Sequence, residues 1–341
     1  MPMGKAVQSQ RAVIVGATGL VGSALVRTLE RMPLRVDSLV LLATAQSAGK
    51  SVGFRGERKT VEEFDASAFE GARWVFFSGK DGLSEEFCPV ASRTGAWVID
   101  NSSVFRLRDG IPLVVPEVNM GSVGESPGII ANPNCSTIQL AVALAPLRDA
   151  FGLERVIVST YQSASGAGGD YLEKLDSDTR LALDQGQSAV EADSLAFNCL
   201  PAVGSLAGDG RFGEEEKLER ELRKILEMDD LAVCATAVRV PSRIGHAESV
   251  VVETHEPIDP EEARRVLASA PGIRVLDDAR NGLFPTPRTA AGTDPVWVGR
   301  IRRARVFEND IAFWVVADNL LKGAALNAVQ IAVELSRRDE A

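Results

Sequence analysis

Long apolar runs are missing from this chain: no stretch approaches the roughly 20 unbroken apolar residues that crossing a membrane requires. Positive charge is short as well. Lys and Arg number 37 against 47 Asp and Glu, a formal net charge of −10, which argues against nucleic acid or an anionic membrane as partner. A small anionic substrate remains compatible, because local Arg and Lys can hold one against the global charge. The opening MPMGKAVQSQ lacks the apolar core of a signal peptide, so a cytoplasmic location is expected. Cysteine is sparse: Cys88, Cys135, Cys199 and Cys234 are spaced like no zinc site and suggest no disulfide framework. They read as reduced thiols, and no metal is expected. Histidine is scarcer still, with only His246 and His255, so a mechanism that needs an imidazole has few candidates.

What is present is the composition of a globular protein, 45% hydrophobic and 25% charged, in 341 residues, a length that suits two domains. Ala12 to Val15 is a short β-branched run ending at Gly16 and reads as a buried parallel strand. Leu20 to Glu30 follows with helical apolar spacing. Leu39 to Leu42, Trp74 to Phe77, Trp97 to Ile99 and Gly128 to Ala131 continue an alternation that implies a parallel α/β sheet. After about residue 155 the strand-like runs lengthen and gain Val and Thr, as in Arg155 to Tyr161, Ala232 to Val240 and Ser249 to Thr254. With the charged helical stretch Glu214 to Met228, they predict a second α+β domain on a mostly antiparallel sheet. Lys322 to Arg338 reads as a closing amphipathic helix.

The turn after the first strand is Gly16-Ala17-Thr18-Gly19-Leu20-Val21-Gly22. Glycines let the backbone turn tightly and approach a pyrophosphate, and the helix start offers it unpaired N–H groups. A plain strand-to-helix turn is the competing reading, since the spacing is one residue off G-x-G-x-x-G. The strand before and the helix after favour the dinucleotide. The second strand leads into Thr44-Ala45-Gln46-Ser47-Ala48-Gly49-Lys50, with no acid to repel a 2′-phosphate and with hydroxyls and Lys50 to accept one, so NADP is expected over NAD.

The sharpest local signal is Asn132-Pro133-Asn134-Cys135-Ser136-Thr137. Pro133 and Asn134 are helix-starting residues, and Ile138 to Leu144 continue as a buried helix. Cys135 is therefore expected at a helix N-terminus, where the macrodipole stabilises a thiolate. There it could attack an acyl carbon while the same N–H groups steady the oxyanion. A free cysteine is usually a small buried hydrophobe. That reading is taken for Cys88, Cys199 and Cys234, and the polar setting reverses it for Cys135.

NPNCST at 132–137, DNSSVFR at 100–106, VVPEVN at 114–119, YQSASGAG at 161–168, EEEK at 214–217, RVPSRIGH at 239–246 and ADNLLKGAALNAV at 317–329 together resemble the aspartate-semialdehyde dehydrogenases, in the family's order and over nearly the whole chain from residue 11. The resemblance implies a Rossmann-type NADP-binding domain of residues 1–134 and 320–341. Residues 135–319 would form an α+β catalytic and dimerisation domain, in a glyceraldehyde-3-phosphate dehydrogenase-like arrangement and a homodimer. It implies Cys135 as nucleophile, His246 as general acid/base, and Gln162 as the residue that positions the acyl group. Arg239 would meet the substrate α-carboxylate and Glu214 its amino group; Arg106, Asn134 and Lys217 would hold the acyl phosphate or free phosphate. The cofactor would be met by Gly16, Thr18, Gly19, Leu20, Val21, Gly22, Thr44, Gln46, Ser47, Ser78, Gly79, Ser165, Gly166 and Asn319.

Residue types agree in part. A guanidinium fork suits a planar carboxylate, and an imidazole titrating near neutrality suits proton transfer. On residue type alone, however, Arg239 could be a surface strand residue, and Glu214 and Lys217 read as a solvated helix face. His255 is given no role. Two departures from the family stand out: Gln46 where Arg is usual, which bears on cofactor preference, and Leu321 for a frequent Arg. The implied reaction is reversible reduction of L-4-aspartyl phosphate to L-aspartate 4-semialdehyde with release of phosphate, feeding lysine, methionine and threonine synthesis. One rival is N-acetyl-glutamyl-phosphate reductase, against which Glu214 argues because an acetylated amine is uncharged. Another is an inactive paralogue with a binding role, against which Cys135, Gln162, Arg239 and His246 argue by their presence.

Overall fold

The computed structural model describes residues 10–340. They divide into two compact units, one of residues 10–114, 121–132 and 328–340, the other of 115–120 and 133–327. The boundaries expected at 134/135 and 319/320 shift: Pro133 and Asn134 already group with the second unit, and two further differences are larger. The segment 115–120 groups with the second unit, and the chain returns to the first only at Ala328. The later return has a packing reason: Gly323 sits directly against Cys135, at the start of the second unit's central helix.

The first unit carries a seven-stranded sheet of β1 (Arg11–Val15), β2 (Ser38–Ala43), β3 (Ser51–Phe54), β4 (Glu57–Glu63), β5 (Trp74–Phe77), β6 (Trp97–Asp100) and β7 (Ile129–Ala131). Its order is β3-β4-β2-β1-β5-β6-β7. All neighbours are parallel except the β3–β4 hairpin at the edge. Parallel strands covered on both faces read as unbroken apolar runs, and β5 is buried at all four positions. The hairpin has no such signature: of ERKTVEE in β4 only Val61 is buried, and the sequence reading did not place it. Helices α1 (Leu20–Arg31) and α2 (Asp81–Arg93) connect the inner strands. The strand order reverses between β1 and β5, the topological switch point at which open α/β sheets bind ligands.

The second unit holds the short helix α3 (Pro116–Asn119) and the long α4 (Cys135–Phe151), followed by α5 (Gly169–Gln185), α6 (Gly213–Leu226), α7 (Pro260–Ser269) and α8 (Pro287–Ala290). Its sheet comprises β8 (Arg155–Gln162), β9 (Ala232–Arg239), β10 (His246–Glu253), β11 (Ile273–Val275), β12 (Val296–Arg302) and β13 (Asp310–Ala317), in the order β11-β12-β13-β10-β8-β9. The sheet is mixed: β13 with β12 and β10, and β10 with β8, are antiparallel, whereas β8–β9 and β11–β12 are parallel. Strand β8 alternates exposed and buried residues, so one face meets the core and the other carries Ile157 and Tyr161 outward. Helix α4 is apolar nearly all round and buried from Ser136 to Ala145, as a core helix must be. The expected closing helix begins as a π-helical turn, Leu321–Ala325, and continues as α9 (Leu326–Glu340). No helix among the described residues is long and apolar enough to cross a membrane.

Candidate active site

In the first unit the glycine-rich turn is built as its composition requires. Gly16 has φ +82°, and a Cβ there would come within 3.0 Å of the Ser78 backbone. A Cβ on Gly22 would lie 2.1 Å from the Gly16 carbonyl oxygen, so neither position admits another residue without movement. Gly19 caps α1 without a side chain, and Gly16 and Ala17 both donate to the Leu42 carbonyl, tying the turn to the end of β2. Ser78 Oγ donates to the Val15 carbonyl at 2.8 Å, which fixes the end of β5 beside that of β1. Thr18, Leu20 and Val21 line the same helix start, with Gly79 next to Ser78. A cradle that any Cβ would fill, at a helix N-terminus and the switch point of the sheet, fits a pyrophosphate. Thr44 and Gln46 are exposed just after β2, and Ser47 Oγ accepts from Lys50 Nζ at 3.4 Å.

Arg106 also belongs to the first unit. It is buried, with Nε donating to the Asn132 carbonyl at 3.0 Å and Nη2 to the Asn101 carbonyl at 2.9 Å.

In the second unit Cys135 is the first residue of α4, half-buried, with Asn134 as its cap. Asn134 Oδ1 accepts from Ser136 and Thr137 N–H at 2.9 and 3.4 Å, a cap worth about 1 kcal/mol. These two N–H groups therefore serve the cap rather than an oxyanion, which corrects the expectation for them. The Asn134 backbone N–H donates to Glu221 Oε2 at 2.6 Å, and its Nδ2 donates to Glu214 Oε1 at 2.8 Å. Gln162, at the end of β8, donates to that same Glu214 oxygen at 2.9 Å and to Ser136 Oγ at 2.6 Å. Glu214 is thus drawn out of its charged helix into a polar cluster around the cysteine's first turn. Lys217 stays half-exposed, with Nζ 4.0 Å from Glu214 Oε2.

The residue after Gln162 connects this cluster to the histidine. The Ser163 N–H donates to His246 Nδ1 at 3.0 Å, and the Ser163 carbonyl accepts from Arg239 Nη1 at 2.9 Å. Arg239 and His246 crowd one point, because a Cβ on Gly166 would lie 2.9 Å from Arg239 Nη1 and 2.9 Å from His246 Nε2. His246 is fully buried, and its Nε2 has no hydrogen-bond partner. Burial first, and then the Arg239 guanidinium, push its pKa down to about 3. The imidazole titrating near neutrality is therefore not what the folded chain holds.

Asn319 and Ser165, expected at the cofactor, are members of this second-unit network. Asn319 Oδ1 accepts from Gly245 N–H at 2.9 Å and from Ser163 Oγ at 3.1 Å, and Asn319 Nδ2 donates to Ser165 Oγ at 3.0 Å. Several participants escaped the sequence reading. Ser136 and Ser163 lie inside quoted motifs without a role, and Glu221 lacked any local signal. Lys322, buried in the π-helical turn, donates to Glu117 Oε2 at 2.6 Å and to Asn327 Oδ1 at 2.9 Å. Among the remaining thiols Cys88 is buried, as expected, and burial pushes it well above the usual thiol range. Cys199 and Cys234 are exposed, against expectation: Cys234 sits on the outward side of β9, and Cys199 follows the left-handed Phe197 in a loop.

Comparison with known proteins gives a consistent picture. Residues 11–125 match the semialdehyde dehydrogenase NAD-binding domain, and residues 144–322 match the semialdehyde dehydrogenase dimerisation domain. The chain is 47% identical over 329 residues to aspartate-semialdehyde dehydrogenase of Aquifex aeolicus, covering 94% of this chain and 96% of that protein. It is 44% identical to the Bacillus subtilis enzyme of the same name over 334 residues, covering 95% and 96%. Among solved structures, aspartate semialdehyde dehydrogenase II of Vibrio cholerae in complex with ASA is 43% identical. It superposes with a TM-score of 0.92 over 97% of this chain and 99% of that one.

Proposed function

The chain belongs to the aspartate-semialdehyde dehydrogenase family, and from that premise we propose how its own residues carry out the reversible reduction of L-4-aspartyl phosphate to L-aspartate 4-semialdehyde. It is an oxidoreductase of amino-acid biosynthesis with a dinucleotide-binding domain and the glyceraldehyde-3-phosphate dehydrogenase-like fold. The family assignment disfavours both the acetylated-substrate rival and the inactive paralogue.

The observation that carries the proposal is the convergence on Cys135. A half-buried thiol opens a capped, 17-residue helix, and Gln162 links that helix's first turn to Glu214. The N-terminal end of a long helix favours the thiolate. Attack of Sγ on the acyl carbon forms the thioester as the C–O bond to phosphate breaks. A nicotinamide cofactor, when held at the Gly16–Gly22 turn, would supply the hydride that reduces the thioester. Gln162 positions the acyl group, and His246 serves its carbonyl oxygen. Arg239 takes the substrate carboxylate through its guanidinium fork, and Glu214 takes the amino group. Arg106, Asn134 and Lys217 are assigned to the phosphate. Asn134, already bonded to Glu214, would ease substrate amine and phosphate into one polar cluster.

For the cofactor we propose NADP over NAD, held at the Gly16–Gly22 turn with Thr44, Gln46, Ser47 and Lys50 toward the 2′-phosphate. Ser78, Gly79, Ser165, Gly166 and Asn319 are the further residues proposed for the cofactor. A homodimer is proposed on the outward face of the second sheet, where Ile157 is 40% exposed and Tyr161 rests against Trp314 with ring centroids 5.2 Å apart. The proposed setting is the cytoplasm.

The test is a spectrophotometric assay of aspartate semialdehyde with phosphate, run with NADP and with NAD, coupled to mass spectrometry of the quenched enzyme. Phosphate-dependent reduction of NADP and an aspartyl adduct on the peptide containing Cys135 are expected. Absence of turnover with either cofactor would remove the proposal.

A further inference from the structure

A helix that starts on a polar cap often completes it with a capping box, in which the side chain three residues on reaches back to the cap residue's own N–H. In α4 that third residue is Thr137, which is fully buried and whose Oγ1 has no hydrogen-bond partner. The Asn134 N–H turns instead to Glu221 Oε2, 87 residues along the chain, at 2.6 Å. Glu221 is 1% exposed and lies on α6, seven residues beyond Glu214. Seven residues close on two helical turns, so both acids share one face of α6, with Lys217 between them. Both reach Asn134: Glu214 Oε1 accepts from its side-chain Nδ2 at 2.8 Å, and Glu221 accepts from its backbone. Helix α6 is itself anchored. Glu215 Oε1 accepts from the Ala237 N–H of β9 at 3.0 Å and its Oε2 from the Phe212 N–H at 2.8 Å, while the buried Glu219 pairs with Arg211.

We propose that Glu221 is a positioning residue for Cys135: it supplies from a distant helix the acceptor that a capping box would supply locally, and so sets the nucleophile's turn against the helix that carries Glu214 and Lys217. The inference rests on the reading that Cys135 carries the acyl group and Glu214 meets the amino group. The Asn134 side chain by itself starts a helix, but its cap bonds to Ser136 and Thr137 are internal to α4 and do not fix where that helix begins. A buried carboxylate on the cap N–H does, and a charge-assisted bond of this kind is about twice as strong as a neutral one. The distance from thiol to amino-group site is then set by one anchored helix. The reach of the acceptor is what matters for this role, and its charge only strengthens the bond.

Two conservative variants separate reach from charge. Glu221→Gln keeps the length and an acceptor oxygen but loses the charge. Glu221→Asp keeps the charge and draws it back by one carbon–carbon bond, about 1.5 Å, out of hydrogen-bond range of the Asn134 N–H. With aspartate semialdehyde, phosphate and NADP, kcat in Glu221→Gln is expected within about fivefold of wild type, since a neutral acceptor makes a weaker bond of the same geometry. In Glu221→Asp kcat should fall about 30-fold or more while the KM for the semialdehyde stays within about threefold, because displacing the reacting atom is amplified in the chemical step. Glu221→Asp at least as active as Glu221→Gln overturns the proposal, and so does a loss in the Asp variant that lies in KM alone. Amide hydrogen exchange of the peptide containing Asn134 gives a readout without turnover. Its protection should persist in Glu221→Gln, and faster exchange there overturns the proposal even if Glu221→Asp fails to fold. A wild type without phosphate-dependent turnover would instead sink the functional reading, and the exchange result would be untouched by it.

Discussion

A side chain on Gly323 would place its Cβ 3.0 Å from the Cβ of Cys135, so the π-helical turn Leu321–Ala325 and the start of α4 are in contact through a position that only glycine fills comfortably. Single π-turns concentrate at functional sites, and here the turn's buried Lys322 is anchored by its ion pair with the half-buried Glu117. Gly323→Ala is expected to push the cysteine by a few tenths of an ångström and to cost about 1–3 kcal/mol of stability. The kcat should fall at least about tenfold, since small misplacements at a reacting centre are amplified. Wild-type kcat with an unshifted Tm would show that the contact is slack.

Cys135→Ala should abolish phosphate-dependent oxidation of the semialdehyde while leaving the circular dichroism spectrum and cofactor binding intact. The Asn134 cap that starts α4 does not use the thiol, so the helix has no reason to unravel. Substantial residual turnover would remove the thioester mechanism.

Arg239→Leu should raise the apparent KM by about 2–4 kcal/mol, roughly 30- to 1000-fold, the cost of losing a charge-assisted pair. A second effect follows from the site's electrostatics. Removing the guanidinium relieves one of the two pressures that lower the His246 pKa, so that pKa should rise in the variant. Kinetics and histidine titration together read both effects, and an unchanged KM would mean that the carboxylate contact is elsewhere.

Gln46 offers a neutral amide where the family usually presents a guanidinium able to make two charged hydrogen bonds to a phosphate. It is exposed after β2, beside the Ser47–Lys50 pair. NADP should therefore be preferred by a smaller ratio than in a relative with Arg, and Gln46→Arg should widen it. The ratio of kcat/KM for NADP and NAD in both proteins decides this. A wild-type preference for NAD, or a ratio unmoved by the substitution, would show the loop to be misread.

Glu248 lies on β10 two residues beyond His246, fully buried with neither carboxyl oxygen hydrogen-bonded. Burial raises its pKa well above the usual carboxylate value, only partly opposed by the neighbouring Gln139 amide. The carboxyl is then neutral in the folded chain while it ionises in the unfolded one. Stability is complete below about pH 4.3, the unfolded value, and is lost as pH rises toward the folded pKa, by up to about 1.4 kcal/mol per pH unit. Glu248→Gln removes the titration, so its urea midpoint should fall less than that of wild type between pH 5 and pH 8. Parallel curves for the two proteins would show that Glu248 is ionised in the folded state.

Much of this protein is written in local sequence. The apolar run before Gly16 forms β1 and the glycines after it turn the chain, because strand burial and positive φ are decided within a few residues. Asn134 caps the helix and so sets Cys135 at its first position for the same reason. The recurring motifs identified the family, though not the geometry of its parts here. Other features depend on partners far along the chain. Glu214 looks like one more acid on a solvated helix until Asn134 and Gln162, 80 and 52 residues away, reach it. The charged β4 becomes a strand by pairing with β2 and β3 rather than by any apolar period. His246 is an ordinary imidazole in sequence, and only the fold buries it, sets the Ser163 amide against Nδ1 and brings Arg239 beside it. Protonation follows from desolvation and neighbouring charge, both properties of assembled space that no local pattern encodes.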